Sequence, residues 1–180
     1  MSGGSDQQLV WKHTVEGLVR MGKPRTTPRW KQRLKDAGLD VEAPVAAVYT
    51  RDQWRSFIFI SAEELFEGEP DARFHAMGHA FIEEYAQTFL GRAVAAVLKI
   101  IGPKRALERM TKSLRSGNNY SETRTTFLGP ARAEFWLNET LGAPSYICGA
   151  LEAVLATAGA KATVRVAKVE GTSATFDIVW

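Results

Sequence analysis

The chain reads as an α+β protein with helices packed on one face of a four- to five-stranded antiparallel sheet. Three observations predict this. A long, mostly apolar helical stretch runs from about Phe74 to Ile101. Two strand pairs follow it, over about 120–137 and 162–180. One helix rich in small residues, about Ser145 to Ala158, lies between the pairs. Strands that pair across an intervening helix build one sheet and leave the helices on one side.

Residues 1–7 are expected as a flexible tail and 8–180 as a single α+β, ligand-binding-like domain. Leu9 to Thr14 suits a short strand and Val15 to Met21 a helical turn. Thr27-Pro28 marks a helix start, with Thr27 as N-cap and Pro28 in the first helical position. Trp30, Leu34 and Ala37 share one face of that helix, and Gly38 stops it. Val45 to Tyr49 is a short apolar run. A helix follows from about Asp52, with Trp54, Phe57 and Ile58 on one side. Ser61 with Glu64 would form a capping box if that helix restarts there.

Asp71 opens the central helix. Phe74, Met77, Phe81, Tyr85 and Phe89 recur every three or four residues, and Val94, Val97, Leu98 and Ile101 extend the stripe. An unbroken helix to Ile101 would be about 46 Å long at about 1.5 Å per residue, too long for a chain of this size. A break near Gly91 is therefore expected. Pro103 opens a further helix with Ala106, Leu107, Met110 and Leu114, which makes about six helices in all. Tyr120 to Phe127 alternates as a strand, Leu128-Gly129-Pro130 turns the chain, and Ala133, Phe135 and Leu137 alternate on the return. In the Ser145–Ala158 helix, Gly149, Ala150, Ala153 and Ala156 permit close backbone approach. Ala162 to Val169 and Ala174 to Trp180 form the last hairpin, with Phe176, Ile178 and Trp180 on one face.

Composition excludes several classes. Hydrophobic residues make up 45% and charged residues 24% of the 180, the balance of a globular domain rather than a disordered chain. The net charge of +3 is too small to argue for nucleic acid alone. Cys148 is the single cysteine, so no intrachain disulfide or all-cysteine metal site can form, which suits a reducing, cytoplasmic setting. Met1 to Gln8 has no apolar signal core, and Lys99 interrupts the best candidate for a membrane span.

Six stretches carry a resemblance. They are His13-Thr14-Val15-Glu16-Gly17-Leu18, Ala37-Gly38-Leu39-Asp40, Thr88-Phe89-Leu90-Gly91-Arg92, Gly102 to Met110, Gly117-Asn118-Asn119-Tyr120, and the final Trp180. With them the chain resembles an uncharacterised family of about 180 residues expanded in myxobacteria, whose function is unknown. By element order, the C-terminal half also looks like the superfamily of haem–nitric-oxide-binding domains, 4-vinyl-reductase-type sensors and Bet-type subunits of the TRAPP complex. That resemblance implies helices on a curved antiparallel sheet, with haem, a small aromatic effector or an acyl chain between the layers, or simple dimerisation.

The candidate sites are these. His75, His79 and Glu83 fall at i, i+4 and i+8, a spacing for a metal site or a haem ligand. At 100° per residue they lie about 130° from the Phe74–Met77–Phe81–Tyr85 stripe, on a polar flank. Haem-binding relatives carry a Tyr-x-Ser-x-Arg motif for the propionates; Tyr120-Ser121-Glu122-Thr123-Arg124 matches it only loosely, so the role is not carried over. Cys148 reads as a buried thiol acting as a small hydrophobe. The basic stretch Arg20, Lys23, Arg25, Arg29, Lys31, Arg33 and Lys35 reads as a solvated face, with Trp30 anchoring its helix. Asn118, Asn119, Tyr120, Glu122 and Arg124 form the densest polar cluster, either a structural turn or a ligand-orienting group. No nucleophile elbow, phosphate loop or zinc-protease pair is present.

The expected function is a non-enzymatic sensor or binding domain. Its apolar ligand, a small molecule or lipid chain, would sit among Phe81, Tyr85, Phe89, Val97, Tyr120, Arg124, Phe135 and Ile147, and signalling would run through partner contacts. The alternative is a protein-interaction module or homodimer without ligand. A nucleic-acid-associated regulator ranks third. The sequence names no cofactor and no metal.

Overall fold

A computed structural model describes residues 7–180. The expected tail therefore lies outside the described residues, except for Gln7. The elements, in order, are β1 (Leu9–Trp11), α1 (Lys12–Gly22), α2 (Pro28–Asp36), β2 (Val48–Thr50), α3 (Arg51–Leu65), α4 (Pro70–Tyr85) and α5 (Phe89–Glu108). There follow α6 (Met110–Arg115), β3 (Thr123–Gly129), β4 (Arg132–Leu137), α7 (Pro144–Thr157), β5 (Thr163–Glu170) and β6 (Ser173–Val179).

The main sheet has the order β3-β4-β6-β5, antiparallel throughout. The two hairpins join through β4 and β6, with Phe135 opposite Phe176. Alternation decides which face is covered. Ala133, Phe135, Leu137, Ala174, Phe176 and Ile178 are buried beneath α7, which adds Cys148, Leu151 and Leu155. The other face meets water: Arg132 pairs with Asp177 at 2.9 Å, and the Arg124 guanidinium lies 4.1 Å from the Trp136 ring centre. One buried and one solvated face is the usual state of an antiparallel sheet packed by helices on one side.

A second core fills the N-terminal half, where Leu18, Met21, Trp30, Leu34, Phe57, Ile58 and Met77 are fully buried among α1 to α4. Thr27 caps α2 by accepting from Trp30 N at 3.1 Å, as its sequence predicts. The indole of Trp30 donates to Ser61 Oγ at 3.0 Å inside the core. Ser61 is thus a buried acceptor and not a cap. α3 is one helix, and its capping box is formed by Thr50 and Gln53.

The strand expected over Leu9 to Thr14 is shorter, Leu9–Trp11, and pairs with Val48–Thr50 as a separate two-stranded sheet, which leaves four strands in the main one. The break in the central helix comes at 86–88, before Gly91. Thr88 caps α5 there by accepting from Gly91 N at 3.0 Å. A second kink follows at Gly102, where φ of 76° and ψ of 174° interrupt α5 before Pro103. The break at 86–88 and a further one before Met110 give seven α-helices among the described residues rather than about six, with α5 counted as one across its kink.

α4 and α7 cross in backbone contact. A Cβ built on Gly149 would lie 1.9 Å from the His75 carbonyl oxygen, and one on Gly78 would lie 2.0 Å from that of Tyr146. Only glycine fits at either place. Glu152 ties the crossing to the sheet: one oxygen meets His75 Nε2 at 2.9 Å, and the other accepts from Val164 N at 2.9 Å. No helix is long and apolar enough to cross a membrane among the described residues.

Candidate ligand pocket

A half-enclosed pocket of about 170 Å³ lies between the helical core and the sheet core. Its wall is mostly apolar. Phe81 and Ile82 come from α4, Val94 and Leu98 from α5, and Ile147 and Val154 from α7. The helix break at 86–88 matters here. It turns α5 so that Gly91, Val94 and Leu98 face inward, while Tyr85 closes α4 against the same space.

The pocket has a polar end. Tyr120 lies there within electrostatic reach of both Glu139 and Tyr146, and Tyr85, Ser116 and Asn118 add to the polar lining. Glu139 is 7% exposed, and both its oxygens are engaged: Oε2 with Arg51 Nη1 at 3.1 Å, Oε1 with the Leu141 N–H at 2.7 Å. Leu141 adopts φ of 59°, the one positive φ outside glycine among the described residues. Its N–H and carbonyl are fixed from two sides, because Arg55 Nε donates to that carbonyl at 2.9 Å. A non-glycine residue held in this region signals a loop determined by its surroundings. Burial pushes the phenols of Tyr85, Tyr120 and Tyr146 above the ordinary tyrosine value, so they stay neutral. Nearby Glu139 raises Tyr120 further, and Tyr120 does the same to Tyr146.

Of the residues expected to form the site, Phe81, Tyr85, Tyr120 and Ile147 line this pocket. Four do not. Phe89 is 87% exposed, because α5 restarts with a new phase and points it outward. Val97 is 47% exposed on the same outer face of α5. Arg124 stacks on Trp136 on the solvated side of the sheet. Phe135 is fully buried, but in the sheet core against Phe176, at 6.4 Å between ring centres. Asn118 and Asn119 are mainly structural: Asn118 Oδ1 accepts from Tyr120 N and Ser121 N, and Asn119 Oδ1 accepts from Leu9 N at 2.8 Å. Sequence reasoning missed Glu139, Leu141, Tyr146 and Trp54 as pocket walls. A buried glutamate in a loop has no periodic signal, and Tyr146 sat in a helix read for its small residues, Ile147 and Cys148.

The other candidates resolve locally. His79 meets Glu83 at 3.5 Å on the flank of α4, and no group of three or more metal-binding side chains occurs among the described residues. Burial pushes the Cys148 thiol up to about 11, and it packs within the sheet core. The cations of α2 are paired: Arg29 with Glu64, Lys31 with Glu42, Arg33 with Glu63 and Glu64, Lys35 with Asp40.

The fold is that of solved H-NOX proteins. The S. oneidensis H-NOX protein in its Fe(II)NO ligation state matches with a TM-score of 0.71 at 12% identity, covering 93% of this chain and 97% of that one. The Fe(II) unliganded H-NOX protein from K. algicida matches at 0.64 and 12%, covering 93% and 94%. An oxygen-binding H-NOX domain related to soluble guanylate cyclases, solved as its oxygen complex, matches at 0.59 and 12%, covering 93% and 92%. At such identities the likeness concerns the fold alone. No curated protein matches by sequence.

The residues present do not fit the haem that this fold holds elsewhere. None of the three histidines lines the pocket. His13 Nε2 is enclosed without a partner, but beside the Tyr85 ring and outside the pocket wall. The raised tyrosines oppose ligation as phenolates. The volume of about 170 Å³ is also well below the roughly 300–1,000 Å³ of drug-sized sites. Residues 8–180 match the family model described as "Protein of unknown function (DUF2378)", and the chain belongs to that family.

Proposed function

We propose that the chain is a non-enzymatic binding or sensor domain that holds one small apolar molecule between its helical and sheet halves, without haem. The pocket carries this reading. It lies at the seam of two cores, its wall is mostly apolar, and a few polar groups converge at one end. Its size suits a single ring, since an engineered apolar cavity of about 150 Å³ takes up benzene. The NO-ligated and oxygen-bound relatives support it as a fold that accommodates small ligands. α5 would carry the signal. Its inner face touches the ligand, and its outer face exposes Phe89, Val97 and Ile100 to a partner.

Thermal melting with benzene tests this on the full chain. At tenfold excess over the dissociation constant the melting temperature should rise by about 4 °C, and Val94→Phe, which fills the pocket, should abolish the rise. No rise in the unsubstituted chain contradicts the reading. Haem retained at one equivalent in freshly purified protein, seen by native mass spectrometry and absorbance, contradicts the haem-free part.

One observation favours the alternative of an interaction or dimerisation module. Phe89 and Ile100 are 87% and 85% exposed on one side of α5. Sedimentation velocity would support it if a concentration-dependent dimer formed and Ile100→Ser dispersed it without changing benzene uptake. The paired cations of α2 leave the nucleic-acid reading without support.

A further inference from the structure

The polar end of the pocket says more about its ligand than the size does. Among the described residues, His13 Nε2 is the one fully enclosed side-chain nitrogen or oxygen without a partner. Tyr120 and Tyr146 are 9% and 5% exposed, and their hydroxyls make no hydrogen bond among the described residues. Neither oxygen is among the enclosed orphans, and both residues line the pocket, so a molecule in the pocket is the partner within their reach. Both phenols keep their protons, so each offers an O–H donor to whatever enters.

Charge narrows the ligand further. Glu139 lines the same end, and both its oxygens already have partners in Arg51 and the Leu141 N–H. An anionic ligand would meet that carboxylate at close range. A cationic one would find it engaged and would give up its own hydration without a free counter-ion. A purely apolar ligand would displace the water on the two hydroxyls and replace none of its hydrogen bonds, which costs affinity. A carbonyl oxygen has two lone pairs and can accept from two donors at once.

We infer that the pocket selects an uncharged, single-ring molecule carrying one carbonyl-type oxygen, which Tyr120 and Tyr146 hold by their hydroxyls. This rests on the pocket reading above. Tyr120 and Tyr146 are the specificity-determining residues, and the apolar wall of Phe81, Val94 and Leu98 takes the ring.

The test compares cyclohexanone with methylenecyclohexane, which has the same shape with a CH₂ in place of the oxygen. Affinities are read from NMR shifts of the full chain. Cyclohexanone should bind about tenfold more tightly, the factor expected for one or two net hydrogen bonds. Tyr120→Phe and Tyr146→Phe should each shrink that factor towards one, by weakening cyclohexanone and by tightening methylenecyclohexane, which no longer strips a hydroxyl of water. Equal binding of the two probes by the unsubstituted chain overturns the inference while the pocket reading stands. Tighter binding of cyclohexanecarboxylate or cyclohexylamine than of the ketone also overturns it. Binding of none of the probes removes the pocket reading and the inference together.

Discussion

Tyr146 is buried against Phe81, at 6.1 Å between ring centres, and its phenol keeps its proton far above the ordinary value because the interior disfavours the anion. Folding is coupled to pH through that difference. Above the ordinary value of 10.0 an unfolded phenol releases its proton while the folded one retains it. The folded state then binds more protons, so stability falls as pH rises through this window. Tyr120 adds to the same loss. Urea unfolding between about pH 9 and about pH 11 should show Tyr146→Phe with a shallower decline, by up to about 1.4 kcal/mol per pH unit. A decline as steep as in the unsubstituted chain would mean that the phenol is already solvated when folded. At this scale the sequence is only partly legible. Tyr120 stood out because the sequence reads as a strand from there, although β3 begins at Thr123. Glu139 did not, because its burial depends on Arg51, 88 residues away in sequence.

Helix α7 is set by what its small residues meet. Gly149 was readable as a point of close approach, but Gly78 on α4 was not, since a glycine within an aromatic stripe reads only as a weak helix former. The structure puts the two at one crossing, each against the other helix's backbone. Gly149→Ala should therefore push α4 and α7 apart and destabilise by about 3 kcal/mol in urea titration, at the upper end of overpacking costs. A loss under about 0.5 kcal/mol would show that the crossing is looser than described. Phe89 is the converse case. Its spacing from Phe81 and Tyr85 is helical, yet residues 86–88 interrupt the helix, so the same periodicity points it into water. Phe89→Ser should change stability by no more than about 0.5 kcal/mol. Periodicity carries no memory of a break, whereas β4 and β6 were legible because strict alternation survives along one short strand.

The molecule as a whole has two large cores that share Ile147, one among the N-terminal helices and one under α7 on the sheet, and a small third cluster of Leu98, Ala106 and Ala158. The sheet half was legible because each of its two hairpins pairs near neighbours in sequence, and alternation then matched the inner faces of β4 and β6. The helical half was less so. β1 and β2 are three residues each and pair across an intervening pair of helices, a contact without local signature. The loop joining β4 to α7 holds the halves together, with Arg51 and Arg55 of α3 gripping Glu139 and the Leu141 carbonyl. The pocket is the space left where these two cores meet, and the account depends on a ring-sized molecule entering it. The most direct measurement is a crystal structure of the chain soaked with benzene. The account predicts a flat ring of density between Phe81, Val94, Leu98 and Tyr146. Density only at the outer face of α5, with the interior space collapsed, would contradict it.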